Sequence, residues 1–309
     1  MRPSRAVTCT MARHQLTRGL QDETPQDKYK LVVDGTDLSK LYKQARPTLP
    51  DSVIQDVISY VDQKVTKVVY FLSCYKRGTS RRSRLSKRDL CVDVGCGPGQ
   101  STELFCPFFK NVVGADISHS QIEEANATRK HGNVTYMEAS AENLPLRSNS
   151  VALVSVVNAI QWFDQEAFFS EVRRVLVENG VLFAAMHHLR ALLEPGMDNC
   201  LFQLRKEKFS DYLLSRHMYW DEGYDSIKVP FKGVRRKTTL NQSKLTVAAL
   251  MDHINTWSLV IMMREQEPAR AEATLAEFRD RLLSKLHQHP GQEPEINVAF
   301  MTSYVMCRK

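Results

Sequence analysis

"VDVGCGPGQ", Val92 to Gln100, places three glycines within five residues directly behind an apolar run. A strand that breaks into glycines and then starts a helix leaves unpaired backbone NH groups at the helix start, which favours an anionic or strongly polar ligand. The dinucleotide fingerprint is GxGxxG, with its third glycine inside the helix. Here Gly95, Gly97 and Gly99 are spaced GxGxG and follow Asp93. A hydride-carrying dinucleotide is therefore disfavoured, while another nucleoside cofactor and a plain tight turn stay open at this point.

Working outward, "LCVDV" reads as the first strand, with a helix from about Ser101. "NVVGAD" is a second strand, and "SHSQIEEANATRK" is a helix in which Ser118 and Gln121 have capping-box spacing. "NVTYMEA" is a third strand, and "VALVSVV" a fourth, uniformly apolar as a strand covered on both faces would be. "DQEAFFSEVRRVLVENG" is predicted helical, capped by Asp164, with Phe168, Val172, Val175 and Leu176 inward and Gly180 at its stop. "VLFAAMHH" is the fifth strand.

Upstream, "PDSVIQDVISYVDQ" carries Ile54, Val57, Ile58 and Val61 at helical spacing, with Asp51 as the cap behind Pro50. Downstream, Ala191 to Ile227 reads as helical. "LTVAALMDHI" repeats Val247, Leu250, Met251 and Ile254 on one face, and "EATLAEFRDRLLSKL" does so through Leu275, Phe278 and Leu282. "NVAFMTSYVMC" alternates as a terminal edge strand would. Alternating β and α predicts an α/β fold with a doubly wound, mostly parallel Rossmann-like sheet. The later helices form a cap over its carboxyl edge, where such sheets bind ligands.

The net charge of +7 is concentrated locally. Arg2, Arg5, Arg13 and Arg18 fall in an arm without acids, and "KRGTSRRSRLSKR" runs from Lys76 to Arg88; outside these two stretches the chain is net acidic. The second stretch has too little apolar content to pack and reads as a solvated loop. Without interleaved aromatics it is a poor nucleic-acid reader. No run approaches the roughly 18 apolar residues of a membrane span. The seven cysteines are odd in number and include no CxxC pair, which argues against a disulfide framework and against a metal site. Reducing, cytoplasmic surroundings follow, with a mitochondrial location as the alternative because the arm faintly resembles a transit peptide.

Asp116 closes the second strand 21 residues beyond Gly95, where a carboxylate can accept from both hydroxyls of a ribose. Asp93 before GxGxG, "GAD" closing the second strand and "EASAENLPL" closing the third together resemble the class I S-adenosylmethionine (SAM)-dependent methyltransferases, type 11 group. The resemblance implies a seven-stranded sheet with an antiparallel terminal strand, and SAM as methyl donor. It also implies that Gly95, Gly97 and Gly99 pass under the methionine and ribose, that Asp93 helps place the amino group, and that Asp116 holds the ribose. Ser140, Ala141 and Glu142 would lie beside adenine, and Asn158 next to the sulfonium. The expected organisation is a disordered basic arm (1–27), a helical segment over the cofactor (28–65), a basic insertion (66–89), a SAM-binding core (90–190), and a helical cap with the final strands (191–309).

"LYKQARPTLPDSVIQDVI", "NAIQWFD" and "INTWS" further resemble, in this order, the trans-aconitate methyltransferase-like proteins, which methylate carboxylates of small organic acids. That subgroup usually has His where this chain has Gln161, a residue that cannot take up a proton near neutral pH. A carboxylate acceptor is already ionised and needs a hydrogen-bonding or cationic clamp rather than a base. Candidates for the acceptor site are Arg46, Gln161, Trp162, His187, His188 and Trp257. Side-chain alternation predicts that at most one of His187 and His188 faces it. The expected partner is a small carboxylic acid, and the chain is expected to be a monomer or homodimer. Two rival readings are a SAM-fold protein without turnover and an RNA or protein methyltransferase.

Overall fold

Seven strands form one sheet in the computed structural model, which describes residues 35–63, 88–197, 199–286 and 293–309. They are β1 (Leu90–Val94), β2 (Asn111–Asp116), β3 (Val134–Glu138), β4 (Val151–Val157), β5 (Leu176–Leu192), β6 (Lys232–Thr246) and β7 (Glu295–Arg308). Their order is β3-β2-β1-β4-β5-β7-β6. β1 to β5 run parallel, and β7 is antiparallel to both β5 and β6. The connections reverse direction between β1 and β4, and the crevice outside those two strand ends is where such sheets accept ligands.

The helices are α1 (Thr36–Ala45), α2 (Asp51–Asp62), α3 (Gln100–Glu103), α4 (His119–Ala127), α5 (Gln165–Val175), α6 (Cys200–Gln203), α7 (Tyr219–Glu222), α8 (Val247–Asn255), α9 (Ser258–Gln266) and α10 (Pro268–Lys285). Strand alternation divides the core. Val92, Val154, Leu182 and Ala184 bury against Phe168 and Val172 of α5. Their neighbours Cys91, Leu153, Val181 and Phe183 bury on the other face, against Val53, Val57 and Val61 of α2. Each such aliphatic side chain contributes about 1.5–3 kcal/mol, which explains the near-continuous apolar sequence of the central strands. A third cluster joins α8, α9 and α10 to the protruding ends of β5 and β7 through Leu189, Leu192, Ile296 and Phe300.

Several expectations need correction. β7 is an interior strand, almost wholly buried, and the edge belongs to β6, whose sequence is too polar to announce a strand. An edge strand needs only backbone pairing on one side, so composition barely constrains it. α5 stops at Val175, and Leu176 already starts β5, so Gly180 is not a helix stop. The cap of α2 is Pro50, with Asp51 inside the first turn. Ala191 to Ile227 is a run of short helical turns entered by the end of β5, not a continuous helix. The basic arm and most of the basic insertion lie outside the described residues. At the insertion's flanks, Arg88 Nε donates to Asp62 Oδ1 at 3.1 Å, so the chain returns to where α2 ended.

Candidate active site

β1 delivers the chain to Gly95, Gly97 and Gly99, with φ of +67°, +53° and +87°. All three are left-handed, a region that side chains resist. At Gly95 a Cβ would stand 2.5 Å from the Ala159 Cβ and 3.1 Å from the Phe163 ring, and at Gly99 it would overlap the Tyr136 ring. Gly97 has open space around it, its nearest neighbour being Gln121 Oε1 at 3.7 Å. Conformation alone thus requires Gly97, while the other two also permit close packing, more than a plain turn demands.

Asp116 pins this loop. Its Oδ2 accepts from the Gly97 backbone NH at 2.8 Å and its Oδ1 from that of Ser118 at 3.0 Å. The carboxyl is 1% exposed, and burial outweighs those bonds and pushes its pKa up to about 6. Ser118 also caps α4, its hydroxyl accepting from the Gln121 NH at 3.3 Å.

Two hollows meet at Gly95. One, of about 620 Å³, lies between the glycine loop, Ser101, Asn158 and His187 on the sheet side and Tyr42 and Arg46 on the other. The second, about 310 Å³, is walled by Asp116, Ile117, Phe163 and the 139–142 turn. Such a pair suits an amino acid joined to a nucleoside. The glycine cradle admits a backbone-close ligand, Ile117 and Phe163 give apolar surface for a base, and the Asp116 carboxylate keeps acceptor capacity for a ribose hydroxyl beyond its backbone bonds. Glu142 is held in this turn by the Ser140 hydroxyl, and its Oε1 accepts from the Asp164 NH at 3.0 Å. Ala141 completes the wall.

Asp93 departs from expectation. It is fully buried behind the wall, with Oδ2 accepting from Ser101 and Thr102 at 2.7 Å each. Burial raises its pKa against these bonds. Its place in the strand interior leaves the Ser101 side chain at the cavity instead. Asp93 therefore positions the start of α3, and its side chain is not among the cavity-lining groups.

An adjoining cavity of about 590 Å³ shares Tyr42, Arg46, Asn158 and His187 with the first. Those four residues mark the passage between the two. Asn158, at φ +57°, closes β4 with its side chain fully used: Nδ2 donates to the His187 carbonyl at 3.0 Å and Oδ1 accepts from the His187 NH at 2.7 Å. Gln161 is equally committed. Its Nε2 donates to the Asn158 carbonyl at 2.9 Å, and its Oε1 accepts from the Tyr224 hydroxyl at 2.6 Å. It is a wall element with neither end free for proton transfer.

Arg46 donates through Nε to Thr256 Oγ1 at 2.7 Å and through Nη2 to the Thr256 carbonyl at 3.0 Å, which ties the segment after α1 to the cap. His187 Nδ1 bonds Thr302 Oγ1 at 2.8 Å, and its ring stacks on Phe300. Burial, aided by Arg46, pushes its pKa down to about 4, so the imidazole is neutral at pH 7. His188, also lining this cavity, is pushed down to about 3 by burial. Both histidines line it, contrary to the alternation argument. β4 pairs with β5 only as far as Ala185, so the edge of β5 facing β4 is uncovered beyond that point and side chains from either face can border the cavity there.

Trp162 stands between the cavity and the nucleoside-shaped hollow, under the Arg216 guanidinium at 4.9 Å. Trp257 is instead a core residue of the cap, packed on Trp220 and His253, because it ends the turn before α9 facing inward. Sequence reasoning missed Tyr42, Arg216, His217, Trp220, Thr256 and Ser258 in the cavity wall. His217 Nδ1 accepts from the Leu214 NH at 2.8 Å, so its proton sits on Nε2 and is donated to Ser258 Oγ at 2.9 Å. The Ser258 hydrogen is thereby left to donate elsewhere. Tyr42 lies in "LYKQARPTLPDSVIQDVI", Thr256 and Ser258 in "INTWS", and Gln100 next to the glycines, where its Nε2 donates to the carbonyls of Lys43 and Arg46 at 2.7 and 2.8 Å.

Residues 92–184 match the family model of a methyltransferase domain. A Dictyostelium discoideum protein bearing a methyltransferase name is 28% identical over 274 residues, which cover 88% of this chain and 93% of that one. The malonyl-[acyl-carrier protein] O-methyltransferase of Alcanivorax borkumensis is 28% identical over 205 residues, 60% of this chain and 68% of its own. A solved structure from Anaeromyxobacter dehalogenans, described as a type II methyltransferase, shares the fold with a TM-score of 0.65 at 23% identity, covering 85% of this chain and 97% of that one. The matched domain spans the glycine loop, Asp116, the 139–142 turn and Asn158. Together with the sheet order, these similarities make this chain a SAM-dependent methyltransferase.

Proposed function

We propose that the enzyme transfers the methyl group of SAM to a carboxylate oxygen of a small organic acid. One observation carries the reading: Arg46 and Arg216 both line the acceptor cavity, and no Asp or Glu does among the described residues. A largely buried, cationic chamber favours an anionic guest, because in a low-dielectric site the attraction is weakly screened. SAM supplies an electrophilic methyl on a sulfonium. The acceptor oxygen's lone pair forms the new C–O bond as the S–CH3 bond breaks with its electrons staying on sulfur. A carboxylate and a sulfonium become a neutral ester and a neutral thioether, and no proton moves. Gln161, tied at both ends, and the neutral His187 suit a reaction that needs alignment and exclusion of water more than a base.

In this reading Gly95, Gly97, Gly99 and Ser101 surround the methionine portion, Asp116 takes the ribose, Ser140 to Glu142 take the adenine, and Asn158 fixes the passage to the acceptor. The subgroup that methylates small organic acids supports it by resemblance, and the Alcanivorax borkumensis relative is, by name, an O-methyltransferase. The test is incubation of the purified protein with methyl-labelled SAM and a panel of aliphatic mono-, di- and tricarboxylic acids. Base-labile label in the product supports ester formation. Tight SAM binding by calorimetry with transfer to no acid would refute the acceptor class and favour a SAM-binding protein without turnover.

A further inference from the structure

Part of the acceptor cavity is not shared with the cofactor cavity, and polar atoms of Arg216 and His188 there lack partners. Arg216 Nη1 is buried without a hydrogen-bond partner, and no carboxylate lies within ion-pair distance of this guanidinium among the described residues. Arg216 is half-buried, and a guanidinium nitrogen buried without a partner is costly and is retained where something else completes it. Both ring nitrogens of the buried His188 are also unpartnered. Ser258 Oγ is satisfied as an acceptor by His217 Nε2, which leaves its hydrogen directed elsewhere. Stacking on Trp162 and the backbone-locked His217 hold these donors in fixed places.

We propose that Arg216, Ser258 and His188 form a subsite for a second carboxylate of the acceptor, one that is held and not methylated. This rests on the reading of the acceptor as a carboxylic acid. The enzyme then selects dicarboxylic acids, with one carboxylate at the passage beside Arg46 and Asn158 and the other against Arg216. The product is a monoester. It is a poor second substrate, since turning it round to present the remaining carboxylate would put a neutral ester against the guanidinium.

The experiment compares the dicarboxylates succinate to suberate with the monocarboxylates butyrate to octanoate, using wild type, Arg216→Gln and Arg216→Lys. For wild type, at least one dicarboxylate should exceed its monocarboxylate counterpart in kcat/KM by roughly 30-fold or more, the scale of a buried charge pair. Arg216→Gln should remove that preference mainly through KM, lowering kcat/KM for dicarboxylates by far more than for monocarboxylates, and yield diester no more slowly than monoester. Arg216→Lys should restore part of the preference. Quenching of tryptophan fluorescence by the dicarboxylate in the presence of S-adenosylhomocysteine gives its affinity independently of turnover. Equal losses on both acid series, with SAM affinity retained, would assign Arg216 a purely structural role and overturn the subsite while leaving the acceptor class standing. Methylation of no acid by wild type, without quenching by any dicarboxylate, would overturn both.

Discussion

Placing the ribose on Asp116, as proposed above, makes SAM affinity depend on pH in a calculable way. Its carboxyl is buried, accepts two backbone NH groups, and has a pKa pushed up to about 6 in the ligand-free chain. Ribose hydroxyls donate, so they bind the ionised form, and binding lowers this pKa. At pH 7.5 the group is almost wholly ionised and affinity is at its plateau. At pH 5 about one part in ten is ionised, so the association constant should fall roughly tenfold, about 1.4 kcal/mol. The nearby His187, pushed down to about 4, is still neutral there. The nearest acid, Asp93, is itself raised and faces away from the cavity. Calorimetric titration with S-adenosylhomocysteine, which lacks the sulfonium charge, isolates the ribose contribution between pH 5 and 8. Asp116→Asn should bind about 10- to 150-fold more weakly at pH 7.5, the cost of a charge-assisted hydrogen bond of about 1.5–3 kcal/mol, and should show no slope. A flat wild-type profile, or a slope that persists in Asp116→Asn, would remove Asp116 from the ribose site.

Other perturbations probe separate parts of the site. Gly95→Ala combines a left-handed backbone with a 2.5 Å approach to Ala159, so urea unfolding should report a loss of about 2–4 kcal/mol and calorimetry a loss of SAM binding. Gln161→Leu strands the buried Tyr224 hydroxyl and should cost about 1–3 kcal/mol of stability while SAM affinity holds. Gln161→His should not raise kcat on a carboxylic acid, since no proton is removed; a large increase would point to an acceptor that needs a base. Arg46→Met severs both bonds to Thr256 and should raise the acceptor KM by about tenfold or more.

The glycine loop and the five parallel strands were legible because burial on both faces leaves little freedom of composition. Val92 and Cys91, or Leu182 and Val181, must both be apolar when α5 and α2 cover opposite faces. β6 was not legible, as an exposed edge tolerates Lys232, Arg235 and Lys237. Helix α1 was legible only as part of the expected helical segment 28–65 and not from periodicity, because its grip is polar, through Ser39, Lys43 and Gln100. Within the site, Gly95, Asp116 and the 140–142 turn sit at strand ends, where position in the sheet predicts position in space. Arg216, His217 and Ser258 come from irregular turns and the start of a cap helix, with no period to betray their direction. Asp93 was read as a ligand contact because its spacing is right, but spacing does not say whether Ser101 will stand in front of it.

The segment from α1 to α2 is stitched to three separate parts of the molecule. Lys43 Nζ reaches the Pro98 carbonyl at 2.9 Å, the Gly35 NH reaches Ser120 Oγ at 3.0 Å, and Arg46 reaches Thr256. Since Tyr42 and Arg46 wall both cavities, a movement of this strap that breaks those bonds widens both cavities together. Departure of one product is thereby coupled to departure of the other. The catalytic cycle should be paced by this latch: viscosity and strap substitutions will alter steady-state turnover, while the rate of a single enclosed methyl transfer stays the same.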